Sequence, residues 1–167
     1  VILEYDHITE LLKAASKRMD DALELLESPS RERNRSDATF RHLCGAQYLA
    51  GYAVECALKS YIIYQMSIRG AERVQRWSKV LDARQTAGAK PDLSGSRSHS
   101  LPLLLAVADL ETIIASDADL RRAWGACSRW TPALRYKPTP LTNRRETTEM
   151  VESCRKIERW LRTRLRT

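Results

Sequence analysis

No run in this sequence approaches the roughly 20 apolar residues that a helical membrane span requires, which excludes an integral helical membrane protein. The opening stretch, VILEYDHITE, lacks the basic start and apolar core of a secretory signal, so a cytoplasmic location is expected. Cysteine is sparse: Cys44, Cys56, Cys127 and Cys154 lie far apart with no CxxC pair. Three of them fall within apolar helical patterns, which marks them as small reduced core residues. The 3 histidines are scattered and form no cluster with acids, so neither a metal site nor a cofactor is expected. Strict apolar–polar alternation is missing, and so is any internal repeat, which leaves no basis for strands or for a repeat architecture.

What is present suits one helical domain spanning residues 1–167, long enough to bury a core without disulfides or metal. The formal net charge of +7 points to an acidic partner, and nucleic acid is the commonest such partner for a basic soluble domain. The dominant stretch is Phe40 to Met66, FRHLCGAQYLAGYAVECALKSYIIYQM. Its apolar residues, from Leu43 through Ala50, Val54 and Leu58 to Ile62, follow the three-and-four spacing of a largely buried helix. Glu55 and Lys59 interrupt it four residues apart, so both face the same way. Gly45 and Gly51 each cost about 1 kcal/mol in a helix interior, and are expected to admit another helix backbone.

The remaining segments read as amphipathic helices around this spine. Leu11, Leu12, Ala15, Met19, Ala22, Leu23 and Leu26 predict a first helix over about 6–26, rich in acids (Glu4, Asp6, Glu10, Asp20, Asp21, Glu24, Glu27) and ended by Ser28-Pro29-Ser30. After the basic linker RERNR, Ser36 or Asp37 is expected to cap the central helix and Gly70 to close it. A short helix is expected over about 71–84 around Val74, Trp77, Val80 and Leu81. TAGAKPDLSGSRSHS then reads as an exposed, mobile loop. Ser100 with Pro102 predicts a helix start running to about Ala115, and Ser116 with Asp119 a second one. Thr131 to Pro140 reads as a proline-punctuated crossing, and Asn143 with Glu146 opens a last helix carrying Met150, Val151, Cys154, Ile157, Leu161 and Leu165.

As a set, AQYLAGYAVECALKSYI, the later SHSLPLLL and RWTPALRY before a terminal helix resemble the HEPN family across nearly the whole chain. That family carries a glutamate and a lysine four apart on its second helix, matched by Glu55 and Lys59. A His-Asp-Leu signature opens its third helix, matched by His99 and Leu101 with Ser100 in place of the acid. The resemblance implies an all-α antiparallel bundle of about five helices that dimerises. It further implies a setting in prokaryotic defence or toxin–antitoxin systems, often beside a small nucleotidyltransferase partner. Many members are metal-independent ribonucleases that pair an arginine with a closely following histidine across the dimer. Arg35 and His42 have that spacing but stand at the start of the second helix, and the late region offers Arg129, Trp130, Arg135 and Tyr136 without a histidine.

Each candidate residue admits two readings. Glu55 and Lys59 form either a functional pair in a cleft or an intrahelical salt bridge that makes burial tolerable. His99 is either a proton-transfer group or a helix-start surface residue. Arg135 and Tyr136 present either a phosphate-binding fork beside a stacking ring, or a packed tyrosine with a solvated arginine. The basic side of the last helix (Arg144, Arg145, Arg155, Lys156, Arg159, Arg162, Arg164, Arg166), joined by Arg69, Arg73, Arg76 and Lys79, either tracks an RNA backbone or docks on the acidic first helix of a second copy. The leading expectation is a homodimeric binding or accessory module for RNA, a nucleotide or a nucleotidyltransferase, with Glu55, Lys59, Arg155 and Arg159 as binding residues. The rival is a metal-independent ribonuclease using Arg129, Arg135, Tyr136 and His99, and a third reading is a purely structural protein-interaction domain.

Overall fold

The computed structural model describes residues 7–27, 35–69, 74–137 and 143–165, with side chains on the second helix over residues 42–68. The Ser28-Pro29-Ser30 stop, most of the RERNR linker, the Arg35 and Arg69 side chains, Gly70, Arg73, residues 138–140 and Arg166 lie outside the described residues. The described chain forms seven α-helices: α1 (Ile8–Glu27), α2 (Arg35–Arg69), α3 (Trp77–Thr86), α4 (Leu101–Val107), α5 (Glu111–Ser116), α6 (Ala118–Cys127) and α7 (Arg144–Thr163). Two single-turn 3-10 helices, Gly95–His99 and Pro132–Tyr136, lie between them. The all-α helical bundle expected from periodicity is the fold observed, with seven helices among the described residues where the resemblance implies about five.

α2 lies at its centre because its middle is apolar on nearly every side. Ala46, Ala50, Ala53, Val54, Ala57 and Leu58 are fully buried, and the alanines let neighbouring helices come close. α1 lays Leu11, Ala15, Met19, Ala22 and Leu26 on it, while α7 contributes Met150, Val151, Cys154, Ile157 and Leu161. Two cross-helix bonds fix directions: Arg144 Nη2 donates to the Leu26 carbonyl at 2.6 Å, and Arg162 Nη1 donates to Ser16 Oγ at 2.6 Å. α7 therefore runs antiparallel to α1. A buried Gln47 Nε2–Thr147 Oγ1 bond of 2.9 Å ties its first turns to α2. α6 packs on α7 through Leu120, Ala123 and Cys127. Cys56, Cys127 and Cys154 are buried free thiols and Cys44 is half-buried, as small core residues should be.

Local differences from the sequence reading have identifiable causes. α2 already begins at Arg35, so Ser36 and Asp37 lie inside it rather than capping it. α3 begins at Trp77, after an isolated antiparallel bridge between His7 and Arg76. The helix expected over 101–115 is two, because Asp109 turns into the left-handed region (φ 55°) and breaks the ladder. Ser100 makes no side-chain cap bond, and α6 is capped by Asp117, whose carboxylate accepts from the Asp119 and Leu120 amides, not by Ser116. Asn143 caps α7 as expected, accepting from the Glu146 amide at 3.0 Å. The loop after α3 is exposed at Ser94 to Arg97 but fastened by buried Leu93 and by Arg84 Nη2 donating to the Pro91 carbonyl at 2.9 Å.

The glycines face side chains, not a helix backbone. Gly45 meets Leu25, and a Cβ on Gly51 would fall inside the indole of Trp130. Trp130 is buried there with Nε1 donating to the Tyr48 carbonyl at 3.0 Å. Gly51→Ala is thus expected to displace the indole and lower stability by about 1–3 kcal/mol, measured by urea unfolding. An unchanged midpoint would contradict this packing.

Glu158 supplies a pH-dependent element. It is buried on α7 with Arg162 Nη1 3.4 Å away, and burial raises its pKa despite that cation. The folded state therefore holds the proton to higher pH than the unfolded chain. This contribution is fully present below the ordinary glutamate range and is lost as pH rises through the folded value. Glu158→Gln is expected to flatten the fall in stability across that window, read as urea midpoints against pH; an unaltered slope would contradict the assignment.

Candidate functional site

The polar residues of α2 recur at spacings of four, three and four: Tyr48, Tyr52, Glu55 and Lys59. At 3.6 residues per turn these fall in one narrow stripe. Tyr48 and Tyr52 are half-buried and stacked, with ring centroids 6.1 Å apart and planes 7° apart. Glu55 and Lys59 are buried. The 3-10 helix Gly95–His99 closes one end of the stripe and the 3-10 helix Pro132–Tyr136 the other.

At the first end, Lys59 Nζ donates to Glu55 Oε1 at 2.6 Å, and His99 Nδ1 reaches the same oxygen at 2.9 Å. The Lys59 ammonium also lies over the Trp77 ring, 5.2 Å from its centroid, which ties α3 to the cluster. A carboxylate can only accept, so Nδ1 carries the hydrogen and a neutral His99 presents Nε2 as the acceptor. The His99 side chain is 44% exposed, against 1% for Glu55. Glu55 Oε2 is buried without a hydrogen-bond partner. The intrahelical salt bridge is therefore present, and it serves additionally as the seat of His99.

At the other end, Arg135 Nε donates to the Tyr48 hydroxyl at 3.1 Å, and Nη2 donates to the same oxygen. Its guanidinium carbon lies 5.1 Å from the Tyr48 ring centroid. Hydrogen bonding to Tyr48 raises the Arg135 pKa, so the cation is permanent as well as held. Tyr136 beside it is 80% exposed, which rules out the packed-tyrosine reading. Between the two ends, burial foremost, then Cys56 and Glu55, pushes the Tyr52 hydroxyl up to about 12. Burial, reinforced by Glu55, likewise pushes the Cys56 thiol up to about 12. Both keep their protons at neutral pH, so neither is a ready nucleophile.

Of the residues expected to act together, Glu55, Lys59 and His99 meet. Arg135 does not join them: it seats on Tyr48, seven residues and about 10 Å along α2 from Glu55 at 1.5 Å per residue. Arg129 is exposed in the turn after α6. On α7, Arg155 pairs with Glu152 at 3.3 Å and Lys156 with Asp119 at 3.1 Å, while Arg159 is exposed. Arg145 reaches Glu149 and Lys79 reaches Asp82, so the basic face is interleaved with acids. Sequence reasoning missed Tyr48, Tyr52 and Trp77 as site residues. The four-residue spacing of the tyrosines ahead of Glu55 and Lys59 was the available signal. Among the described residues no group of His, Cys, Asp and Glu could hold a metal ion, and no helix is long and apolar enough to cross a membrane.

The fold and this stripe define the class: an all-helical bundle whose central helix carries an aromatic and ionic face. Comparison with known protein families, with curated proteins and with solved structures returns no match.

Proposed function

We propose that this chain is a HEPN-like binding or accessory module that recognises single-stranded RNA, and that it works as a homodimer in the cytoplasm of a prokaryote. A defence or toxin–antitoxin setting with a nucleotidyltransferase partner follows from the same resemblance. The observation that carries RNA recognition is the pairing of Arg135, pre-oriented on Tyr48, with the exposed ring of Tyr136. A fixed guanidinium suits a phosphate, and an exposed ring beside it suits a base in any sequence. The charge of +7 supplies the attraction that brings RNA to it. Fluorescence anisotropy with a short single-stranded RNA tests the reading. The logarithm of the association constant is expected to fall linearly with the logarithm of salt concentration, and a flat response would overturn it.

A second reading, metal-independent RNA cleavage, is favoured by one observation: His99 Nδ1 is seated on Glu55 Oε1 at 2.9 Å, which leaves Nε2 of the neutral ring to act as a base. Incubation with structured RNA in EDTA decides between the two. Cleavage lost in both His99→Ala and Arg135→Ala would establish the ribonuclease, whereas binding without cleavage supports the module.

A further inference from the structure

Away from the α2 stripe, α3 and the loop that follows it form the walls of an open cleft of about 590 Å³, a size that takes a metabolite. Arg84, Gln85, Lys90 and Ser94 are among the residues lining it. A second cavity of about 400 Å³, against Ile62, Met66 and Val107 of α2 and α4, is also lined by Arg84. The Ile62–Met66 end of α2 is roughly 21–27 Å from Tyr48 at 1.5 Å per residue, so this is a separate place from the Arg135–Tyr136 platform.

Arg84 is the unusual group. Its Nη2 donates to the Pro91 carbonyl at 2.9 Å, while its Nε is buried with no partner. Among the described residues no carboxylate pairs with it. Burial lowers its pKa, the mark of a guanidinium partly stripped of water without a counter-charge. Two acids also line the cavity, and each has a partner other than Arg84. Asp92 accepts from the Ser94 amide at 2.9 Å and the Ser94 hydroxyl at 2.8 Å, and Asp82 faces Lys79 at 3.7 Å. Nε is closed off even to water, so an oxyanion in the cavity meets the outer nitrogens of a guanidinium that has no carboxylate partner.

We propose that this cavity binds a small oxyanion, the carboxylate or phosphate group of a metabolite-sized ligand, through Arg84 and Lys90. Arg84 supplies the fixed fork and Lys90, at the rim, a mobile second charge. The loop 88–95 forms the opposite wall, where Gly88 and Gly95 adopt positive φ (59° and 54°) that lets the backbone turn around the opening.

The full chain, labelled with nitrogen-15, is titrated with inorganic phosphate and separately with acetate. A saturable shift of the Arg84 Nε–H resonance and of the Gly88, Ser94 and Gly95 amides is expected. Tighter binding of phosphate identifies a phosphate site, and acetate binding as tightly or more tightly identifies a carboxylate site. Lys90→Ala, which leaves the Arg84–Pro91 bond in place, is expected to weaken affinity about tenfold, and Arg84→Gln to abolish the saturable shifts. No saturable shift with either anion, affinity unchanged in Lys90→Ala, or shifts that persist in Arg84→Gln would overturn the proposal.

Discussion

Glu55→Ala is expected to destabilise the protein by about 3–5 kcal/mol, the cost of leaving a buried cation without its partner. The substitution strands the Lys59 ammonium, which is 8% exposed, under Trp77. It also removes the seat of His99, so one change loosens the contacts between α2, α3 and the loop before α4. The double variant Glu55→Leu, Lys59→Met should recover much of that loss, because two apolar residues of similar volume leave no charge uncompensated. Urea unfolding of the three proteins measures both effects. A loss below about 1 kcal/mol in Glu55→Ala, the range of an exposed pair, would show that this cluster is solvated instead of buried.

The second large effect lies at the opposite end of the stripe. Arg135→Ala and Tyr136→Ala are each expected to weaken binding of single-stranded RNA, by about 1–3 kcal/mol for the stacking ring and about tenfold for the guanidinium. The two side chains are adjacent and serve one nucleotide, so the double variant should lose less than the sum of the single losses. Tyr48→Phe is the more discriminating change. It keeps the ring under Arg135 and removes only the hydroxyl that accepts from Nε and Nη2. An intermediate loss in Tyr48→Phe shows that RNA reads the orientation of the guanidinium as well as its charge. Anisotropy titrations at one fixed salt concentration provide the comparison.

The spine of this fold is legible in the chain because helical periodicity is a local property. Ala46 to Ile62 announces a buried helix, Glu55 and Lys59 announce an ion pair by their four-residue spacing, and Asn143 announces a cap by its distance from Glu146. What stays hidden is set by contacts distant in sequence. Gly51 accommodates Trp130, and Arg135 finds Tyr48, across separations that no window of residues spans. The break between α4 and α5 is hidden for another reason: Asp109 takes positive φ in a stretch, AVADLET, that carries neither glycine nor proline. At α6, Ser116 and Asp117 compete for one cap, and only geometry shows that the carboxylate reaches the Asp119 and Leu120 amides. His99 illustrates the middle ground. The family resemblance singled it out, but its bond to the buried carboxylate of Glu55 belongs to the three-dimensional structure.

The basic side of α7 is the other stretch whose charge suits RNA, and its charges are largely spoken for. Arg155, Lys156 and Arg162 are each within salt-bridge distance of an acid, which reduces the field they offer a phosphate chain. The platform of Arg135 and Tyr136 differs in having its cation held by a neutral hydroxyl, so its charge is not cancelled.

Ultraviolet crosslinking of a short single-stranded RNA to the intact protein, with the modified peptide located by mass spectrometry, tests this account most directly. The crosslink is expected on the peptide containing Arg135 and Tyr136, and it should disappear in Tyr136→Ala. A crosslink confined to α7 around Arg155 and Arg159, unchanged in Tyr136→Ala, would contradict it.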